Sequence, residues 1–197
     1  MAEGRRPVTV IVLLAVACFL PLLAASLLNL LASSWRPWAT SNHGTLVSPP
    51  REMRAGELSA LDGQEIGERF FRGKWTLVVL DEPPCDPLCR EQLVKMRQVR
   101  LALGKDAMRV QRLLVTRATP GNVDYQRLAA EFSGTRMASP SARWLEPFEL
   151  YEGEPGHPAR IHVIDPIGLL MMYYPPDIDP SLMLKDMQRL LRASRIG

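Results

Sequence analysis

Apolar positions cluster in two ways along this chain. From Val8 to Leu31 they run almost without interruption and without a charge, over about the 20 residues that a bilayer-crossing helix needs. Beyond Gly73 they come in short bursts separated by turn residues. Trp75 to Asp81 is a continuous apolar run of the kind buried on both faces of a sheet. Asp86-Pro87 reads as a helix cap and first helical position. That helix extends to about Leu103, with Leu93, Met96, Val99 or Arg100, and Leu103 on one side, and Gly104-Lys105 ends it. Val110 to Thr116 is a second strand, Thr119-Pro120-Gly121 a turn, and Val123 to Phe132 a second helix. Ser133 to Pro158 holds Pro140, Pro147, Pro155 and three glycines and reads as irregular. Ala159 to Ile164 is a third strand, joined through the turn Asp165-Pro166-Ile167-Gly168 to a fourth, Leu169 to Tyr173. Asp179-Pro180 opens a last helix whose Met183, Met187, Leu190 and Leu191 face the sheet.

A strand–helix–strand opening implies a parallel pair with a right-handed crossover, and the closing hairpin adds antiparallel strands. The order predicts an α/β fold: a thioredoxin-like domain, with a central mixed sheet flanked by helices, behind one N-terminal transmembrane helix. Residues 1–7 form a cytoplasmic N-terminus, 8–31 the transmembrane helix, 32–72 a tether and irregular lead-in, and 73–197 the thioredoxin-like domain. The lead-in carries Pro49-Pro50, Gly44, Gly56, Gly63 and Gly67, and a short hairpin near Leu58 to Phe71 is the one element expected in it. His43 reads as a solvated linker histidine.

Arg5 and Arg6 precede the apolar span and keep the N-terminus in the cytoplasm, while Trp35 and Trp38 follow it as interfacial rings do. A cleaved signal peptide is the rival reading, but its apolar core usually runs only about 7–15 residues. An uncleaved anchor in the cytoplasmic (inner) membrane then places the C-terminal domain in the periplasm, where disulfides persist. Cys18, inside the span, reads as a buried small residue. The net charge of +3 is spread along the chain with Arg and Glu interspersed. That excludes a nucleic-acid footprint and describes a solvated surface.

The candidate chemistry is Cys85-Asp86-Pro87-Leu88-Cys89, directly after the first domain strand. A helix N-terminus favours thiolate over thiol, and Arg90 pushes the same way. Thioredoxin-like reductants use two intervening residues; three leave the cysteines able to close a disulfide or to hold a soft ion. Two thiolates select copper(I) or zinc, and a further ligand must come from elsewhere. His162 lies within the third strand and reads as a packed or surface histidine. His157 lies in the loop before that strand, which in a thioredoxin-type sheet faces the N-terminus of the first helix, and is the candidate ligand. A structural staple, a redox pair and a metal site remain open on these residues alone.

These residues resemble the Sco/SenC family, whose members carry Cys-x-x-x-Cys after the first core strand of an anchored thioredoxin-like domain. A single family histidine lies eight residues before the aspartate of an Ile-Asp-Pro-x-Gly turn. Here Cys85 and Cys89 match the first element, and His157 stands eight residues before Asp165 in Ile164-Asp165-Pro166-Ile167-Gly168. Gly73-Lys74-Trp75 is similar to the family's approach to that strand. The chain departs from the pattern at three places. Asp86 replaces the usual Pro after the first cysteine, and Thr116-Arg117-Ala118-Thr119-Pro120 lacks both acids of the usual Asp-Pro-x-x-Asp. Asp81-Glu82-Pro83-Pro84 replaces a usual aromatic and glycine stretch.

The resemblance implies a metallochaperone rather than an enzyme. Copper, as Cu+ or Cu2+, would be bound by Cys85, Cys89 and His157, and the partner would be a cytochrome c oxidase subunit or another copper or thiol protein. Two other functions stay open: a thiol–disulfide oxidoreductase using Cys85 and Cys89 as its catalytic redox pair, and a non-catalytic oxidase assembly scaffold.

Overall fold

In the computed structural model the described residues are 5–31, 42–61, 65–152, 159–194 and 196. They divide into two compact units, residues 1–41 and 42–197. The first unit is helix α1 (Arg5–Leu31), with Pro21 inside it. Its segment Thr9–Leu28 has a mean hydropathy of 2.8 and is long and apolar enough to cross a membrane, as a signal sequence also is. Cys18 is exposed on this helix rather than buried, because a single helix has no second protein surface to bury it against.

The second unit is built on one seven-stranded mixed sheet. In chain order its elements are β1 (Thr45–Glu52), β2 (Leu58–Ala60), β3 (Trp75–Asp81), α2 (Pro87–Ala102), β4 (Val110–Thr116) and α3 (Val123–Glu131), then β5 (Thr135–Pro140), α4 (Ala142–Glu152), β6 (Ile161–Ile164), β7 (Leu169–Tyr174) and α5 (Pro180–Ala193). Across the sheet the order is β1-β7-β6-β3-β4-β5-β2. β3 pairs in parallel with β4 and antiparallel with β6, so it is central. This is the expected α/β, thioredoxin-like architecture.

The buried run of β3 divides between two cores. Leu77 and Val79 face a core formed with α2 (Leu93, Met96, Val99), α3 (Tyr125, Leu128) and α5 (Met183, Met187, Leu191). Val78, between them, faces the second core, with Trp144 and Phe148 of α4, Val47 and Phe71. Period-two alternation therefore serves both faces at once. Leu77 is fully buried, and truncating such a side chain to Ala costs about 2–5 kcal/mol.

Two caps aim the helices as the sequence predicts. Asp86 accepts a hydrogen bond from the Cys89 N–H at 2.7 Å, and Pro87 opens α2. Asp179 does the same for α5 through the Ser181 N–H at 2.8 Å. The hairpin turn between β6 and β7 is closed by Asp165, which accepts from Ile167 N–H and Leu169 N–H at 2.9 and 2.8 Å. Gly168 completes it at φ 90°, where a side chain would be strained.

Four elements depart from the sequence reading. The lead-in contributes β1 and β2, at opposite edges of the sheet. β1 carries Pro49-Pro50, and its register shifts between Leu46 and Arg51. Proline has no N–H to give a ladder, and an edge strand tolerates that loss. β2 pairs with β5, not with a hairpin partner near Phe71. The segment read as irregular after Ser133 holds β5 and α4, and α4 tolerates Pro147 within it.

Candidate functional site

Cys85 and Cys89 form a disulfide with 5.4 Å between their alpha-carbons. The fold places it where β3 ends and α2 begins. Cys89 lies in the first turn of α2 and is fully buried, whereas Cys85 is half-buried against the same core. The two sulfurs thus differ in access although one bond joins them. The buried sulfur sits in the first turn of α2, where the helix dipole favours a thiolate once the bond is open.

A carboxylate flanks the pair. Asp81, the last residue of β3, has an oxygen that lies with both sulfurs inside a cluster no wider than 4.8 Å. Its Oδ2 is buried and has no hydrogen-bond partner. Burial, foremost, and the nearby Asp86 charge push its pKa up from the ordinary 3.8 to about 7. Sequence reasoning noted Asp81 only as a departure from a family pattern. The missed signal was a charged residue ending a strand directly after the apolar run Leu77 to Leu80.

Tyr125 of α3 also reaches the pair, through a hydrogen bond with the Cys85 backbone. Its hydroxyl lies 3.1 Å from the Thr116 hydroxyl in a buried hydrogen bond. Burial, foremost, raises its pKa, and the charges of Asp81 and Glu82 add to the rise. Thr116 and Pro120 stand where the resemblance expects acids, and Arg117 where it expects a proline. Arg117 instead pairs with Glu82 at 3.0 Å, so negative charge reaches this site from the end of β3 rather than from the loop after β4. Arg90 does not serve the cysteines alone, since its guanidinium pairs with Glu131 of α3 at 2.7 Å.

His157 lies outside the described residues. The chain after it is described: Ala159 is buried, and its N–H donates to the Leu80 carbonyl at 3.4 Å, one residue before Asp81. His162 is buried in β6 and meets the Phe148 ring edge-on at 4.8 Å between ring centres. It is a packed strand histidine, as the alternation of β6 predicts. His43 is not a solvated linker residue, because it binds the buried Asp186 of α5.

Once reduced, the cluster offers two thiolates and a carboxylate, a donor set that fits a borderline metal such as copper or zinc. As a disulfide it has the chemistry to exchange with thiols that reach Cys85.

No curated protein matches this chain in sequence. Among solved structures, yeast Sco1 with copper bound is 16% identical, covering 75% of this chain and 95% of its own, with a TM-score of 0.61. Bradyrhizobium japonicum ScoI with copper bound is 18% identical over 71% and 98%, with a TM-score of 0.54. BsSco, described as a member of the Sco family of cytochrome c oxidase assembly proteins with a disulfide switch, is 13% identical over 75% and 99%, also at 0.54. At these identities the likeness is one of fold. Residues 75–194 match the family model for a transmembrane-like, thioredoxin-like, C-terminal domain, which spans β3 to the end of α5, so the chain belongs to that family, and it is folded as Sco proteins are.

Proposed function

We propose that this chain is a membrane-anchored, Sco-like protein that handles copper through Cys85 and Cys89, with His157 as a further ligand, and assists assembly of a copper centre of cytochrome c oxidase. The observation that carries this reading is the position of the cysteine pair. It joins the end of the central strand β3 to the start of α2, in a fold shared with copper-bound Sco1 and ScoI. The half-buried Cys85 gives a partner protein a point of approach, and Cys89 holds the ion from the core side. The apolar α1 retains the protein in the inner membrane, and Arg5 and Arg6 put the domain in the periplasm. The copper is cargo, received and passed on.

The test is made in cells. A strain lacking this chain is complemented with wild type or with the double variant Cys85→Ser, Cys89→Ser. Wild type restores the optical signature of the oxidase copper centre, and the variant does not. Full restoration by the variant contradicts the reading.

A second reading, thiol–disulfide exchange with cysteines of the partner, is favoured by the unequal burial of the two sulfurs. Cys85 is then the attacking thiol and Cys89 the resolving one. The observable is a reduction potential above about −300 mV, the level below which structural disulfides lie.

A further inference from the structure

We propose that Asp81 is a ligand of the ion held by Cys85 and Cys89, and that it biases the site toward a divalent ion, copper(II) or zinc(II), against copper(I). This rests on the metal-binding reading of the cysteine pair and deepens it. Three observations carry it. The carboxylate shares the 4.8 Å cluster with both sulfurs. Its Oδ2 is buried yet takes no hydrogen bond, so the carboxylate keeps an uncommitted oxygen. And β3, whose residues Thr76 to Val79 are buried and paired on both sides, fixes its place.

Charge decides the preference. Two thiolates and a carboxylate bring three negative charges to one small, partly buried volume, with Asp86 close by. A divalent ion offsets two of them and a monovalent ion only one. The donor types agree, since carboxylate oxygen is an ordinary ligand for zinc but a poor match for soft copper(I).

Loading follows a balanced sequence. A dithiol reductant gives two electrons and two protons to the Cys85–Cys89 bond, and its own thiols close to a disulfide. The divalent ion then displaces both thiol protons, and the proton of any protonated Asp81 carboxyl, to solvent as the two metal–sulfur bonds and the metal–oxygen bond form.

The test uses the full-length chain in detergent, reduced and anaerobic, as wild type, Asp81→Asn and Asp81→Glu. Each is titrated with zinc(II) and with copper(I) against competing chelators, and cobalt(II) serves as a spectroscopic probe. Losing a ligand should cost at least the roughly tenfold in affinity that losing an outer-shell partner costs. Asp81→Asn should show that loss for zinc, alter the cobalt ligand-field bands while keeping thiolate charge transfer, and leave copper(I) affinity almost unchanged. Asp81→Glu, which keeps a carboxylate, should recover part of the zinc affinity. Circular dichroism and reclosure of the disulfide check that each variant folds.

Equal zinc affinity and identical cobalt spectra in wild type and Asp81→Asn overturn the assignment while the copper reading stands. Zinc bound through Asp81 without copper(I) binding supports Asp81 and removes the copper reading. No binding of any ion by wild type overturns both.

Discussion

The carboxylate of Asp186 is buried beneath His43, a residue 143 positions earlier in the chain. The His43 ring nitrogen lies 2.9 Å from one carboxylate oxygen, and the His43 backbone N–H donates to the other at 2.7 Å. The Gly44 N–H adds a third contact at 3.1 Å and the Tyr174 hydroxyl a fourth at 3.5 Å. Only 1% of the Asp186 side chain is exposed, so its charge depends on these donors and on the Arg189 guanidinium 3.9 Å away. Gly44 permits the approach, since a Cβ there would come within 2.7 Å of the Met172 sulfur. The start of the second unit is thereby clamped to α5.

His43→Ala removes one partner of that buried carboxylate and keeps the backbone donors. Stability should fall by about 1–3 kcal/mol, the usual cost of leaving a buried polar group short of a partner. Denaturant midpoints of wild type and variant measure it. Coincident unfolding curves would show that the clamp contributes nothing.

Asp81 makes stability depend on pH. Its folded pKa of about 7 lies above the ordinary 3.8, so between those values the folded state binds the proton that the unfolded state has released. The stabilising contribution is complete below pH 3.8 and is lost as pH rises through 7. Asp81→Asn removes the titration, and with it the loss at higher pH. The oxidised variant should therefore gain stability relative to wild type from about pH 4 to pH 7 and hold that gain above it. Parallel stability curves for the two proteins across that range would contradict the raised pKa.

The unequal burial of the sulfurs predicts which cysteine meets a partner. Cys89→Ser leaves the accessible Cys85 free, and it should accumulate mixed disulfides with small thiols and partner proteins. Cys85→Ser leaves only the fully buried Cys89, which should accumulate few. Mass spectrometry of trapped adducts reads the difference, and equal trapping by both variants contradicts the assigned order of attack.

Much of the site's frame was readable from the sequence because its signals are local. The apolar run of β3, the Asp86-Pro87 and Asp179-Pro180 caps and the Asp165 turn each depend on neighbours in the chain. β1, β5 and α4 were missed because prolines interrupt or end them: Pro49-Pro50 sits on an edge strand, Pro140 ends β5, and Pro147 sits within a helix that Trp144 and Phe148 pin to the second core. The environment of the disulfide was hidden for a different reason. Asp81 and Thr116 meet only through the β3–β4 pairing, Tyr125 joins them only when α3 packs on the sheet, and His43 reaches Asp186 only when α5 does. No sequence period records such pairings. The pairing of Arg90 with Glu131, across two helices, is of the same kind.

The most direct test of the central claim is a copper(I) titration of the reduced, anaerobic full-length chain in detergent against a competing chelator, beside His157→Ala and the double variant Cys85→Ser, Cys89→Ser. The account predicts tight one-to-one binding by wild type, strong weakening in His157→Ala with the fold intact, and no binding at this site in the double variant. Weak binding that neither change alters would contradict it and leave thiol exchange as the function of the pair.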